Sequence, residues 1–295
     1  MTREGTAWRR WRGRLWLFAA AALFLAADAR AAPQRVASIY LCADVLLVRL
    51  AGRGRIVSLT RFAADPALSP VADAARGIPV NRGRAEDILP LRPDLVLAGA
   101  IAAPATRALL RRLGARLLEL PLATDFAGIR ANIRRVAEAL DTPQRGTAMI
   151  AAMDRRLAAA RAPDGPRPRV LFYRGGYVQG RGTLLDAMMT AAGLDNHGAA
   201  LIGDGVAWVT LEGLLLRPPD GLLLGGRDPR RDRRATGPAS HPALRRLVAR
   251  LPSMPLADRA WHCGWPESAA TVGHLARFRS DLIANANRHN GTLRP

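Results

Sequence analysis

At 295 residues the chain has room for two α/β units with cores of ordinary size, and its 49% hydrophobic content is that of a globular protein. All 44 basic residues are arginine, set against 24 acids for a formal net charge of +20, an excess that would draw nucleic acid, an anionic membrane surface or an anionic ligand. The arginines are scattered among acids and alanines, with no basic block interleaved with aromatics, which argues against a nucleic-acid partner and leaves the arginine excess as either compositional or suited to an anionic ligand.

Arginines at 3, 9, 10, 12 and 14 precede an apolar run over 15–27 that is shorter than a membrane span, and Ala27, Ala29 and Ala31 offer small residues for cleavage ahead of Pro33. Residues 1–31 are therefore predicted to be a cleaved signal peptide that leaves a soluble product outside the cytoplasm. The Arg9-Arg10 pair admits the twin-arginine route, but Trp11 and Arg12 fit it poorly and the general secretory route is favoured. No cysteine at the cleavage point offers itself to a lipid.

Residues 32–141 read as a first lobe. Val36 to Tyr40 is a strand, Asp44 to Leu50 a helix stopped at Gly52, and Ile56 to Leu59 a second strand leading into a polar loop with Arg61 and Phe62. Loops at the carboxyl ends of parallel strands carry the binding groups of α/β sheets, so these two are candidate cleft residues, as is Arg82 at the tip of the next loop, 80–83. Glu86 opens a short helix with Ile88, Leu89 and Leu91 on its apolar side, Pro93 ends it, and Asp94 introduces the buried strand Leu95-Val96-Leu97. A helix closing at Gly114, a strand over 116–120 and an amphipathic helix through Leu140 complete the lobe.

Residues 142–162 read as a bridge. Thr142 can cap and Pro143 suits a first helical position; Met149, Ile150, Met153 and Leu157 line one face of a helix running to about Arg161. Some 18 residues at 1.5 Å each reach about 27 Å, enough to cross between lobes.

The second lobe, 163–295, starts with a strand over 170–173, a glycine loop containing Arg174 and Tyr177, and a helix from Thr183 to Ala192. The loop's glycines match neither a dinucleotide fingerprint nor a P-loop. Trp208 stands in a second polar glycine loop, where an exposed ring points to ligand contact. Then the first lobe's pattern returns: Glu86/Glu212, Pro93/Pro219, Asp94/Asp220 and Gly99/Gly225 are each separated by 126 positions. The stretch 227–242 reads as a mobile polar loop, followed by a helix over 241–251 and a last helix from Thr271 onward. Trp261 to Pro266 reads as a strand end with aromatics, Trp265 among them, at the cleft mouth; a core role for Trp261 stands equally.

Alternating strands and helices with short connections make the fold α/β, with two duplicated lobes of parallel sheet joined by one long α-helix. The five histidines lack the paired spacing of a zinc site, and there is no Gly-x-Ser-x-Gly elbow or Cys-x-x-Cys, so no catalytic residue, metal site or cofactor is assigned. Cys42 and Cys263, one per lobe in an oxidising compartment, leave two readings open, a disulfide between lobes or two buried thiols. Glu86 and Glu212, at the same place in each repeat, suggest a pseudo-symmetric acidic surface for a partner that is itself two-fold.

These residues resemble the iron-siderophore and cobalamin periplasmic binding proteins of ABC importers: the opening from Arg35, the strand from Ile56, the stretch 85–97, the bridge helix, and Trp208 through Leu224. The resemblance implies two Rossmann-like lobes with the ligand between them, no enzymatic activity, and Glu86 and Glu212 docking onto arginines of a two-fold inner-membrane permease. It also places Trp208 where the cobalamin binder has a ligand-contacting tryptophan. Arg61, Arg82 and Arg174 would suit an anionic ferric siderophore, the leading expectation; Tyr40, Tyr177 and Trp208 would suit a corrin or haem face. The chain is thus expected to be a monomeric periplasmic receptor for a metal chelate, with a secreted α/β enzyme or a ligand-free scaffold as rivals.

Overall fold

The computed structural model describes residues 31–226 and 241–291. The proposed signal peptide up to residue 30 and nearly all of the polar stretch after Gly226 lie outside them.

The first half runs β1 (Val36–Ser38), α1 (Leu41–Leu50), β2 (Ile56–Thr60), α2 (Ala72–Ala75), β3 (Val80–Asn81), α3 (Ala85–Ile88), β4 (Leu95–Gly99), α4 (Pro104–Arg112), β5 (Leu117–Leu120) and α5 (Phe126–Ala139). Helix α6 (Pro143–Ala160) follows, and then β6 (Arg169–Tyr173), β7 (Tyr177–Gln179), α7 (Leu184–Ala191), β8 (Asp195–Asn196), α8 (His197–Ile202), β9 (Val206–Trp208), α9 (Leu211–Leu216), β10 (Gly221–Gly225), α10 (Pro242–Arg250), β11 (Ser253–Leu256) and α11 (Ser268–Gly291).

Two all-parallel sheets result, ordered β3-β2-β1-β4-β5 and β11-β10-β6-β8. Read from the other edge, the second sheet repeats the β2-β1-β4-β5 portion of the first, with β6 in the place of β1 and β10 in that of β4. The duplication is therefore one of topology as well as sequence. The central strands β4 and β10 are buried along their whole length, which is why each reads as an unbroken apolar run rather than an alternating one.

The repeated aspartates fasten these central strands. Asp94 accepts the backbone N–H of Gln34 at 2.7 Å and that of Arg35 at 3.1 Å, just ahead of β1. Asp220 accepts the N–H of Arg169 at 2.8 Å and pairs with its guanidinium. Burial pushes the Asp220 carboxyl up, but the bonds and charge of Arg169, with a contribution from His197, outweigh it and hold the group below the usual carboxylate range. The helices before the strands end differently. Arg35 reaches the carbonyls of Leu91 and Arg92 in the first copy, whereas His197 Nε2 donates to Arg217 O at 2.6 Å in the second.

Helix α6 spans 18 residues, with Met153 fully buried in a core that is continuous from the first sheet to the second. It packs tightly on α5, where a Cβ at Gly146 would come within 2.6 Å of Ala137 Cβ. Thr142 does not cap it; its hydroxyl turns back to Ala137 O.

Three local expectations are corrected. The loops expected around Tyr177 and Trp208 are a two-stranded antiparallel ribbon, β7 with β9, hidden in the sequence because each strand has three residues and glycine neighbours. Gly175 and Gly176 are the tight turn that leads from β6 into β7: both have positive φ, and Arg174 and Tyr177 exchange both backbone hydrogen bonds, the geometry of a two-residue hairpin. Val80 and Asn81, read as loop, form the edge strand of the first sheet.

Candidate functional site

Both sheets present the carboxyl ends of their strands to a cavity of about 580 Å³. The first half contributes Leu122, Ala123 and Thr124, just after β5; the second contributes Arg174 after β6, Tyr177 and Gln179 of β7, Val206 and Trp208 of the β9 edge, and Trp261 and His262 beyond β11. Arg174 leaves β6 beside β10, the point where connections diverge to either side, which is where open parallel sheets bind ligands.

The ribbon aims its aromatics. Tyr177 and Trp208 are directly opposed across the two strands, with ring centroids 6.1 Å apart and planes 74° to each other. A side chain at Gly176 would meet the Trp208 ring at 3.1 Å, so the glycine lets the indole lie over the turn. Trp208 remains 74% exposed, a large apolar face open at the cavity mouth. On the opposite wall, Trp261 is buried against Phe172, with His262 edge-on to it.

Arg174 is held between these walls. It pairs with Asp258 at 3.2 Å, and its guanidinium carbon lies 5.7 Å from the Trp261 ring centre, while 45% of the side chain stays exposed. An arginine braced by a carboxylate and an indole, with its fork open to a cavity, can receive a ligand carboxylate. Burial raises the Tyr177 phenol above its usual pKa in spite of the Arg174 charge, so at neutral pH it is a hydrogen-bond donor. The exposed His262 imidazole is a group in the lining suited to a metal centre carried by a ligand.

Of the residues singled out from sequence, Arg174, Tyr177 and Trp208 come together here. Tyr40 lines a separate small cavity together with Ala123 rather than the large one, its ring against Gly99 and its phenol pKa raised by burial. Arg61 and Phe62 are exposed and stack on each other, 4.7 Å from guanidinium to ring centre, and Arg82 is an exposed loop residue; these three do not line the cavity. Trp265 is a correction: it is completely buried with Val45, Val71 and Cys263, and the segment around it is a turn at Asp258–Ala260 and a crossing strand-free stretch, so no strand end carries it to the mouth. Cys42 and Cys263 are joined as a disulfide. Glu86 and Glu212 are both exposed and each is the second residue of its helix. His262 and the 122–124 loop were not anticipated; an isolated histidine between two tryptophans gives no spacing to read.

A family model described as "Periplasmic binding protein" matches residues 36–250, most of the chain. The chain belongs to the periplasmic binding protein family. Its members and the neighbours found by structure are binding proteins rather than enzymes. This binding protein is similar to the periplasmic haem-binding protein RhuT of Roseiflexus sp. RS-1 in apo form, with a TM-score of 0.70 and 26% identity over 84% of this chain and 98% of that one. It is also similar to the periplasmic haem-binding protein BhuT in complex with two haems, with a TM-score of 0.67 and 29% identity over 84% and 98% of the respective chains. Among curated sequences it is similar to a cobalamin-binding protein of Halobacterium salinarum, 27% identical over 172 residues, 57% of this chain and 47% of that protein. The chain thus spans about half the length of the curated relatives it matches.

Proposed function

We propose that this binding protein captures haem, or a closely related metal tetrapyrrole, between its two sheets and hands it to an inner-membrane importer. The observation that carries the reading is the lining of the 580 Å³ cavity, where among the described residues Tyr177 and Trp208 offer ring faces, backed by the buried Trp261, beside one open guanidinium and one exposed imidazole. A flat, apolar macrocycle with carboxylate substituents and a central metal matches each of these groups in turn: stacking for the plane, Arg174 for a carboxylate, His262 for the metal. The similarity to two haem-binding proteins supports it. The ferric siderophore expectation leaned on three arginines, and of these Arg174 lines the cavity while Arg61 and Arg82 do not, so among the described residues a highly anionic chelate would find one arginine there. Cobalamin is the second reading, favoured by the curated relative and by the same ring faces.

In this reading the lobes are residues 32–141 and 163–295, joined by 142–162, and the protein is a periplasmic monomer released by removal of residues 1–31. Glu86 opens the short helix after β3 and Glu212 the short helix after β9, and each exposed carboxylate can meet an arginine of a permease subunit. Titration of the purified protein with haemin, followed by absorbance, tests the ligand. Saturable binding, weakened by Arg174→Ala and spectrally altered by His262→Ala, is expected; no uptake of haemin would refute it.

A further inference from the structure

By sequence the stretch from Ala257 to Glu267 belongs to the second half, directly after β11, yet its anchors lie in the first. Cys263 is bonded to Cys42 of α1 across 221 positions of sequence, with Cα atoms 5.4 Å apart. Trp265 is buried against Val45 and Val71, and Gly264 lies so close to the 122–124 loop and α5 that a Cβ there would meet Ala123 Cβ at 2.6 Å and Ile129 Cγ1 at 2.9 Å. Arg259 donates its backbone N–H to Ala67 O at 3.2 Å and its guanidinium to Pro66 O at 2.9 Å, and Glu267 pairs with Arg49 of α1. Only one short turn, Asp258–Ala260, is regular structure within it. Trp261 and His262, in the middle of this strap, form a wall of the cavity, and His262 is bonded through the chain to the disulfide cysteine itself.

We propose that the Cys42–Cys263 disulfide is a positioning device for the site: by pinning the strap to α1 it fixes where the His262 imidazole stands relative to the Tyr177–Trp208 wall. The proposal rests on the cavity being the haem site. The strap has no ladder hydrogen bonds; Trp265, Arg259 and Glu267 also hold it, but the disulfide is its covalent anchor and the one directly next to His262, and groups that orient a metal ligand typically govern metal affinity by about 10–100-fold. The cysteines act through His262 and touch no ligand.

The test compares the full oxidised chain with Cys42→Ser/Cys263→Ser, and with Cys42→Val/Cys263→Ala, which keeps apolar packing in case the serine pair does not fold. In the ligand-free proteins, amide hydrogen exchange over 257–267 should rise while the central strands stay protected. With haemin, affinity should fall roughly tenfold or more and the absorbance spectrum should move towards that of His262→Ala. Removing the disulfide in the His262→Ala background should then change neither. Unchanged exchange in the strap, an unchanged spectrum and affinity, or an equal loss in the His262→Ala background would overturn the proposal. Failure of the unmodified protein to take up haemin would refute the ligand reading instead, and the exchange comparison, which uses no ligand, would still uphold or overturn the tether.

Discussion

Replacing Asp44 by asparagine should relieve the protein of a cost that grows with pH. Asp44 sits in the first turn of α1, fully buried at the carboxyl ends of β1 and β2, where Oδ1 accepts the Thr60 N–H at 3.3 Å and Oδ2 the Thr60 hydroxyl at 2.5 Å. Burial pushes its carboxyl from the ordinary 3.8 up to about 7, against the opposing pull of hydrogen bonds from Ser38 and Thr60. Between those two values the folded protein holds a proton that the unfolded chain has released. The stability Asp44 contributes is therefore complete below about pH 4 and is lost as pH rises through about 7. A gap of about 3 pH units at 1.36 kcal/mol each is on the order of 4 kcal/mol by pH 8. Asparagine has the same shape, never ionises and keeps an acceptor for the Thr60 N–H, but it loses the acceptor for the Thr60 hydroxyl, a cost of about 1 kcal/mol. Asp44→Asn should thus be slightly less stable than wild type at pH 4 and more stable by up to about 3 kcal/mol at pH 8. Urea unfolding followed by tryptophan fluorescence at each pH unit from 4 to 8 measures this. Parallel stability curves for the two proteins would refute the reasoning.

Asp94→Ala and Asp220→Ala should each cost roughly 1 kcal/mol, since both acids do the same job ahead of β1 and β6 and both are partly solvated. Because the Asp220 carboxyl is held below its usual range, its share should be present above the ordinary carboxylate value and vanish as pH falls below it, measurable in acid unfolding. Gly180→Ala should disrupt the ribbon, because its Cβ would stand 2.1 Å from Gly203 O; loss of the Tyr177–Trp208 pair would show in near-ultraviolet circular dichroism and in weaker haemin binding. Glu86→Arg with Glu212→Arg should abolish uptake by cells while leaving ligand binding by the purified protein unchanged, and undiminished uptake would reject the docking surface.

The sequence carries the framework more openly than the site. Pro93, Asp94 and the run from Leu95 announce β4, and the same residues 126 positions later announce β10, because a central parallel strand must be apolar on both faces. The 3.6-residue spacing of Met149, Ile150, Met153 and Leu157 likewise marks α6. The ribbon escapes notice because three-residue strands are too short for alternation to register, and the turn glycines that lead into β7 look like any loop. Trp208 was legible as an exposed ring, whereas Trp265 misleads: a tryptophan beside proline and glycine reads as surface, but the neighbouring disulfide draws it into the first half's core. His262 and Leu122 to Thr124 become one wall only through contacts between distant segments, which no local pattern encodes.

The most direct measurement is a side-by-side titration of the purified protein with haemin, cyanocobalamin and a ferric hydroxamate, read by quenching of tryptophan fluorescence. Haemin should bind most tightly, with quenching much reduced in Trp208→Ala. Preferential binding of the ferric hydroxamate, or haemin binding indifferent to Trp208 and Arg174, would contradict the assignment of this cavity.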